Sequence, residues 1–137
     1  MKCLIIGLGT FGSTLATDLT NKGHEVMGVD HVEQRVEDIK DNIAVAYIMD
    51  ATERVALKQL PLSEMDCAIV CIGQSMDNSL RTVAALKELG VEKVYARAID
   101  STHESILRAM HIQKIFIPEQ YAAHIFADKL GKSYEGE

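Results

Sequence analysis

The chain has 137 residues, of which 47% are hydrophobic and 25% are charged, the composition of one globular domain. Its formal net charge of -6 leaves no basic surface for gripping a phosphate backbone, which argues against nucleic-acid binding. No stretch is apolar and long enough to serve as a signal peptide or to insert into a bilayer, so we expect no direct membrane insertion.

Short β-branched runs alternate with segments of helical periodicity along the chain. The predicted strands are Cys3–Ile6, Glu25–Val29, Ala44–Ile48, Cys67–Ile72, Val94–Ile99 and Ile115–Ile117. Helices are predicted between them around Leu15, Val36, Val55 to Leu60, Leu80 and Ile106, and Pro118 opens a last helix of about 119–131. This alternation predicts an α/β, Rossmann-like, doubly wound sheet of six mostly parallel strands with helices on both faces.

A glycine-rich loop, Gly7-Leu8-Gly9-Thr10-Phe11-Gly12, follows the first predicted strand and opens the first helix, the context of a dinucleotide-binding motif. Gly7 permits a tight turn, Gly9 lets a pyrophosphate approach the backbone, and Gly12 lets the helix pack close to the strand. At Thr10 and Phe11 the helix begins, and its free N–H groups and positive dipole end favour phosphate.

Asp30 ends the second strand about 20 residues after the loop, where a ribose-binding carboxylate is expected. It could also cap the helix from Val32, and the two roles can coexist. A carboxylate here disfavours NADP because it repels a 2′-phosphate. His31 is a candidate contact to the base. No metal-ligand spacing relates the histidines, so we expect them on the surface: His24, His31, His103, His111 and His124.

Two polar stretches follow the third and fourth strands on the rim where ligands of open parallel sheets bind. They are Asp50, Ala51 and Thr52, and Gly73, Gln74 and Ser75. Either stretch contacts a nucleotide or only forms turns and caps. Arg97 interrupts an otherwise buried strand, so it needs a phosphate, an acidic neighbour or a solvated strand end.

The cysteines Cys3, Cys67 and Cys71 lie in strand-like apolar runs, which indicates buried thiols in a reducing compartment such as the cytosol. In a strand the Cα atoms of Cys67 and Cys71 would be about 13 Å apart, too far for a shared metal or a disulfide.

The pattern lacks the machinery of an enzyme. Six strand–helix units account for nearly all of the chain, which leaves no substrate domain. The Tyr and Lys pair of short-chain dehydrogenases is missing, as is a G-x-S-x-G elbow. We therefore expect a nucleotide-binding module without catalysis. The alternatives are the cofactor-binding half of an NAD-dependent dehydrogenase and a redox sensor that acts on another partner.

Five blocks of sequence occur in the order typical of one family: Leu4–Gly12, Gly23–Asp30, Asp50–Thr52, Ala68–Gly73 and Ile117–Glu119. With these blocks the chain resembles the regulator-of-potassium-conductance N-terminal domain of Trk/Ktr-type potassium uptake regulatory subunits. The resemblance covers essentially residues 1–137. It implies a cytoplasmic regulatory domain that binds NAD(H) or ADP/ATP, forms a homodimer or larger ring, and gates a membrane potassium translocator subunit, which holds it at the inner membrane.

By position, the resemblance also assigns roles. The phosphates would lie against Gly7, Gly9 and Gly12, and Arg97 would contact a phosphate. Asp30 would bind the ribose. The adenine side would be lined by Asp50, Ala51 and Thr52, and the inner wall by Gly73. Glu119 matches a position that helps hold a divalent cation near the dimer interface in ATP-binding members, although an acid there also suits the first turn of a helix.

The chain departs from this family pattern twice. Thr10 stands where ATP-responsive members often carry arginine, which favours NAD or ADP over ATP. The smaller C-terminal lobe of the family does not follow, so we expect the chain to correspond to the N-terminal lobe. In the last helix Tyr121, Ala122, Ile125 and Phe126 form an apolar stripe without a core of their own, which predicts a partner and makes this helix a candidate dimer crossover.

Overall fold

A computed structural model describes residues 1–112 and 114–135. The strands are β1 Lys2–Ile6, β2 Glu25–Asp30, β3 Val45–Ile48, β4 Cys67–Val70, β5 Val94–Arg97 and β6 Lys114–Phe116. The α-helices are α1 Thr10–Asn21, α2 Glu33–Ile39, α3 Arg54–Leu57, α4 Met76–Glu88, α5 Ser101–Ala109 and α6 Pro118–Glu135. A short 3-10 turn, Leu62–Glu64, lies between α3 and β4.

The strands form one sheet of order β3-β2-β1-β4-β5-β6, and all five pairings are parallel. The predicted fold class is confirmed. The sheet was expected to be mostly parallel, and all of its described strands are parallel. From β1 and β4 the chain winds towards opposite edges of the sheet. In such sheets a crevice forms at the carboxyl ends of the two central strands, where the connections diverge.

Hydrophobic side chains cover both faces of the sheet. One cluster joins α1 and α2 to the strands and includes Cys3, Ile5, Ala16, Val26 and Val36. The other joins α3, α4 and α5 and includes Leu4, Leu57, Val83, Leu86 and Leu107. Because successive strand residues point to opposite faces, each central strand contributes to both clusters. This arrangement fixes the central strands, and therefore the loops at their carboxyl ends.

Several elements differ in extent from the sequence-based prediction. β4 ends at Val70 and β5 at Arg97, earlier than predicted, because the next residues turn towards the crevice after a last hydrogen bond from Cys71 N–H to Ile6 O at 2.7 Å. α3 is a single turn. α6 begins at Pro118 as expected but continues through Gly131.

His103 corrects the expectation that all histidines lie on the surface, because it is completely buried. Its Nδ1 accepts a hydrogen bond from Ile99 N–H at 2.9 Å, and its Nε2 lies 3.1 Å from Ser79 Oγ. Residue 103 precedes the buried Leu107 by one helical turn, so it faces the core. Burial lowers the pKa of the imidazole, which ties α5 to α4 in the neutral form. The cysteines are buried free thiols, as predicted.

Helix α6 has no buried residue in its described length and exposes Tyr121, Ile125, Phe126 and Leu130. Its apolar residues are nevertheless interrupted by polar ones. Over the described parts of the chain, no helix has both the length and the hydropathy needed to cross a bilayer.

Candidate functional site

A cleft of about 580 Å³ opens at the carboxyl ends of the strands, a volume within the usual range for small-molecule sites. It brings together all the predicted cofactor-binding residues except Gly12: Gly7, Gly9, Thr10, Phe11, Asp30, His31, Asp50, Ala51, Thr52, Gly73, Gln74, Ser75 and Arg97. The loops that follow β1 to β4 and the last residue of β5, Arg97, therefore converge on one site.

The glycines of the first loop have different surroundings. Gly7 adopts φ +98°, a conformation that favours glycine. Its N–H donates a hydrogen bond to Val29 O at 2.9 Å. A Cβ on Gly12 would overlap the carbonyl oxygen of Gly7, so Gly12 permits the close contact between α1 and the loop. Gly9 has nothing within 4 Å of an added Cβ. Gly9 thus faces open cleft, which fits the role of admitting a phosphate.

The Asp30 side chain is hydrogen-bonded through both carboxylate oxygens, and only 2% of its surface is exposed. One oxygen accepts a hydrogen bond from Leu8 N–H at 2.7 Å and the other from Val32 N–H at 2.8 Å. Val32, not Asp30, is the N-cap residue of α2, so Asp30 orders the approach to that helix rather than capping it. A carboxylate has about four acceptor positions, so two bonded oxygens still leave capacity for a ribose hydroxyl.

Arg35 of α2 belongs to the cleft, although the sequence analysis did not identify it. Its Nη1 lies 3.5 Å from Asp30 Oδ2, and Nδ1 of the exposed His31 lies 3.7 Å from Oδ1. The signal in the sequence was its position as the third residue of the helix that follows Asp30, from which a long side chain can extend to the Asp30 carboxylate. The end of the cleft at Asp30 therefore contains a permanent cation as well as the carboxylate.

The two polar stretches after β3 and β4 form the turn and cap hydrogen bonds that were one of their two interpretations. Asp50 accepts hydrogen bonds from Thr52 Oγ1 at 2.6 Å and Thr52 N–H at 3.0 Å, and these bonds lower the pKa of the Asp50 carboxyl. Ser75 caps α4 by accepting from Asn78 N–H at 3.1 Å. Both stretches nevertheless line the cleft, as does the buried Thr82, which sequence reasoning also missed.

Arg97 has the acidic neighbour that was one of its three interpretations, since its Nη2 donates to Glu119 Oε2 at 2.5 Å. A Cβ on Gly73 would lie 2.8 Å from its Nη1, so the guanidinium occupies space that the glycine leaves free. Its Cζ lies 5.8 Å from the centre of the Phe11 ring, within cation–π range. The buried Nε has no hydrogen-bond partner among the described residues.

Glu119, the predicted metal ligand, is the second residue of α6 and neutralises Arg97 in this structure. The described residues contain no group of three or more His, Cys, Asp or Glu side chains that could hold a metal ion by themselves. Cys71 lies at the floor of the cleft, and burial raises the pKa of its thiol to about 12. It is therefore a neutral wall residue, because only a thiolate is a good nucleophile.

Residues 3–118 match the family described as the TrkA-N domain. The chain is 35% identical over 126 residues to Ktr system potassium uptake protein C of Bacillus subtilis, covering 92% of this chain and 57% of that protein. It is 33% identical over 116 residues to Ktr system potassium uptake protein A of the same organism, covering 85% and 52%. The chain thus spans about half the length of these curated relatives.

Solved structures share the fold at lower sequence identity. The NAD(P)-binding domain of an exopolyphosphatase-related protein from Archaeoglobus fulgidus superposes with a TM-score of 0.83 at 21% identity, covering 95% of this chain and 97% of that one. The GsuK channel bound to NAD gives 0.74 at 16% identity, with coverages of 85% and 21%. GsuK bound to ADP gives 0.73 at 15% identity, with coverages of 85% and 31%.

Proposed function

This chain belongs to the TrkA-N domain family, and from that membership we propose that it senses NAD(H) or ADP/ATP and thereby regulates a membrane potassium uptake system. The observation that carries the proposal is a cleft lined by both the glycine loop and Asp30, together with the hydrogen bond from Leu8 N–H to the Asp30 carboxylate. The loop that we propose for phosphate and the carboxylate that we propose for ribose are thus held in fixed relation.

The residues present fit a nucleotide. The open space at Gly9 and the start of α1 would receive the phosphates, because the helix offers free N–H groups and a positive dipole end there. Asp30 would bind the ribose, with His31 and Asp50 to Thr52 towards the adenine. Gly73, Gln74, Ser75 and Arg97 would line the remaining wall, with Arg97 directed to a phosphate.

The regulatory part of the proposal draws on the relatives, which are named as potassium uptake proteins. By this analogy the partner is a membrane potassium translocator subunit, and the domain is cytoplasmic and peripheral to the membrane through that partner. We propose no catalysis. The Cys71 thiol is neutral and Arg97 is ion-paired, and ligand binding alone suffices for a sensor.

Assembly into a dimer or ring forms part of the proposal. Helix α6 exposes an apolar stripe, with Tyr121 56%, Ile125 55% and Phe126 62% exposed. Apolar surface of this kind favours contact with a second copy. In such an assembly Glu119 would also be available to a divalent cation that accompanies ATP, if it leaves Arg97.

The proposal is tested by isothermal titration of the chain with NAD, NADH, ADP, ATP and NADP. We expect saturable binding of NAD or ADP and weaker binding of NADP. Asp30→Asn should weaken binding, whereas Asp66→Asn is the matched control, because Asp66 bonds Lys2 N–H at the opposite end of the sheet. Absence of binding by all five nucleotides would refute the sensor function. Steady hydride transfer or nucleotide hydrolysis would instead support an enzyme.

A further inference from the structure

Arg97 lies where three segments meet: the loop after β4, the start of α1 and the start of α6. Gly73 and the Phe11 ring hold the guanidinium from the β4 and α1 sides. The third contact is the ion pair with Glu119 at the start of α6. The Arg97 side chain is 19% exposed and that of Glu119 is 63% exposed.

This difference in exposure determines which partner can leave. A carboxylate that is already mostly hydrated loses little when it returns to water, whereas a cation enclosed by Gly73 and Phe11 cannot follow it without being rebuilt. The buried Nε of Arg97 is a further donor without a partner among the described residues. The Arg97 guanidinium thus stays in the cleft, and another anion can replace the Glu119 carboxylate beside it.

We propose that Glu119 is an internal competitor for the anionic end of the ligand. In the ligand-free chain Glu119 neutralises Arg97. A nucleotide phosphate at the start of α1 takes over the guanidinium, and the released Glu119 frees the first turn of α6. This inference rests on the proposed function, because it requires a nucleotide in the cleft.

The consequence reaches the surface of the molecule through α6. In its described length α6 buries no side chain, and the Arg97–Glu119 pair joins its first turn to β5. The same helix carries the exposed Tyr121, Ile125 and Phe126. Occupancy of the cleft would therefore alter how this apolar stripe is presented to a second copy.

Glu119→Gln tests the competition by removing the charge and keeping the shape. In EDTA we expect ADP affinity to rise about three- to tenfold, the range for an ion pair of about 0.7–1.4 kcal/mol, while adenosine affinity stays unchanged. Glu104→Gln is the matched control, because it makes the same change in net charge at the exposed Arg108 pair in α5. Unchanged or weaker ADP binding in Glu119→Gln would overturn the proposal.

Hydrogen exchange of the amides in residues 119–124 gives a second, independent readout. Saturating ADP should accelerate their exchange in the wild-type chain, and Glu119→Gln should show the faster exchange without ligand. Exchange that ADP leaves unchanged would overturn the proposal even if the affinities behave as expected. If the wild-type chain binds no nucleotide, both the proposed function and this inference fail. If it binds ADP but exchange is unchanged, only this inference fails.

Discussion

The carboxylate of Asp30 accepts a 2.7 Å hydrogen bond from the main-chain N–H of Leu8, 22 residues earlier in the chain. The residue expected to bind ribose therefore also fixes the loop expected to bind phosphate. Because the donor and the acceptor are buried, the bond is costly to break. Any change of the Asp30 carboxylate should therefore also disturb the loop that Leu8 belongs to.

Asp30→Ala should consequently affect stability as well as ligand binding. The substitution leaves the N–H groups of Leu8 and Val32 without their acceptor, and we expect a loss of about 2–4 kcal/mol in the free energy of unfolding. Urea unfolding without ligand measures it. Asp30→Asn keeps one acceptor oxygen and should lose less. A loss below about 1 kcal/mol for Asp30→Ala would show that these hydrogen bonds contribute little.

Gly9→Ala and Gly12→Ala should separate ligand binding from folding. A methyl group at residue 9 meets no atom within 4 Å, so the free energy of unfolding should stay within about 0.5 kcal/mol while nucleotide affinity falls. A methyl group at residue 12 overlaps Gly7 O, so the chain should lose several kcal/mol, roughly 3 or more, or fail to fold. Thermal unfolding and titration of both variants test this. Wild-type affinity in Gly9→Ala would argue against a phosphate at Gly9.

Arg35 should moderate discrimination between NAD and NADP. Asp30 disfavours a 2′-phosphate, and the nearby guanidinium partly offsets its charge. We expect Arg35→Ala to weaken NADP binding more than NAD binding, which widens the preference for NAD. Arg81→Ala, which removes another exposed helical arginine, is the control. Equal losses for both ligands would show that Arg35 does not contact the phosphate.

The buried His103 should make stability depend on pH. Burial lowers the pKa of its imidazole below the value in the unfolded chain, and the charge of Asp100 opposes this shift only partly. The unfolded chain therefore binds the proton more readily, so stability is complete above about pH 6.5 and declines as pH falls towards the lowered pKa. Urea unfolding at pH 7.5 and 5.5 should show this decline, and His103→Asn should reduce it. An equal decline in both chains would assign the pH dependence to other groups.

The apolar stripe of α6 should control self-association. Ile125→Asp introduces a charge into that stripe, and we expect sedimentation to show a shift towards monomer without loss of stability, because residue 125 is 55% exposed. Val55→Asp is the matched control, since Val55 is 73% exposed on α3. A monomeric wild-type chain at high concentration would contradict the expectation.

The sequence predicted the succession of strands and helices along the chain and most of the cleft lining because those signals are local. The glycine loop is read directly from its spacing, and Asp30 from its place at a strand end. Residues on helices were harder, since Arg35 and Thr82 reach the cleft only through the packing of α2 and α4 on the sheet.

Two other features depended on contacts between distant segments. The pair of Arg97 with Glu119 joins residues from separate elements, so the sequence left three interpretations of Arg97 open. His103 was misplaced because its neighbours in α5 are mostly polar. The signal in the sequence was its spacing of one helical turn from Leu107. The prediction grouped His103 with the surface histidines instead of placing it on that buried face.

The central position of β1 has a consequence for synthesis of the chain. Its residues pair with β2 early, Lys2 opposite Glu25, but with β4 only later, Cys3 opposite Cys67. A nascent chain that has not yet emerged beyond residue 70 lacks the packed β4 side of its first strand and the wall of the crevice that contains Gly73 and Arg97. Such non-local pairing slows folding, and a ligand stabilises only the state that binds it. Nucleotide present during translation would therefore favour the completed sheet and leave earlier intermediates unaffected.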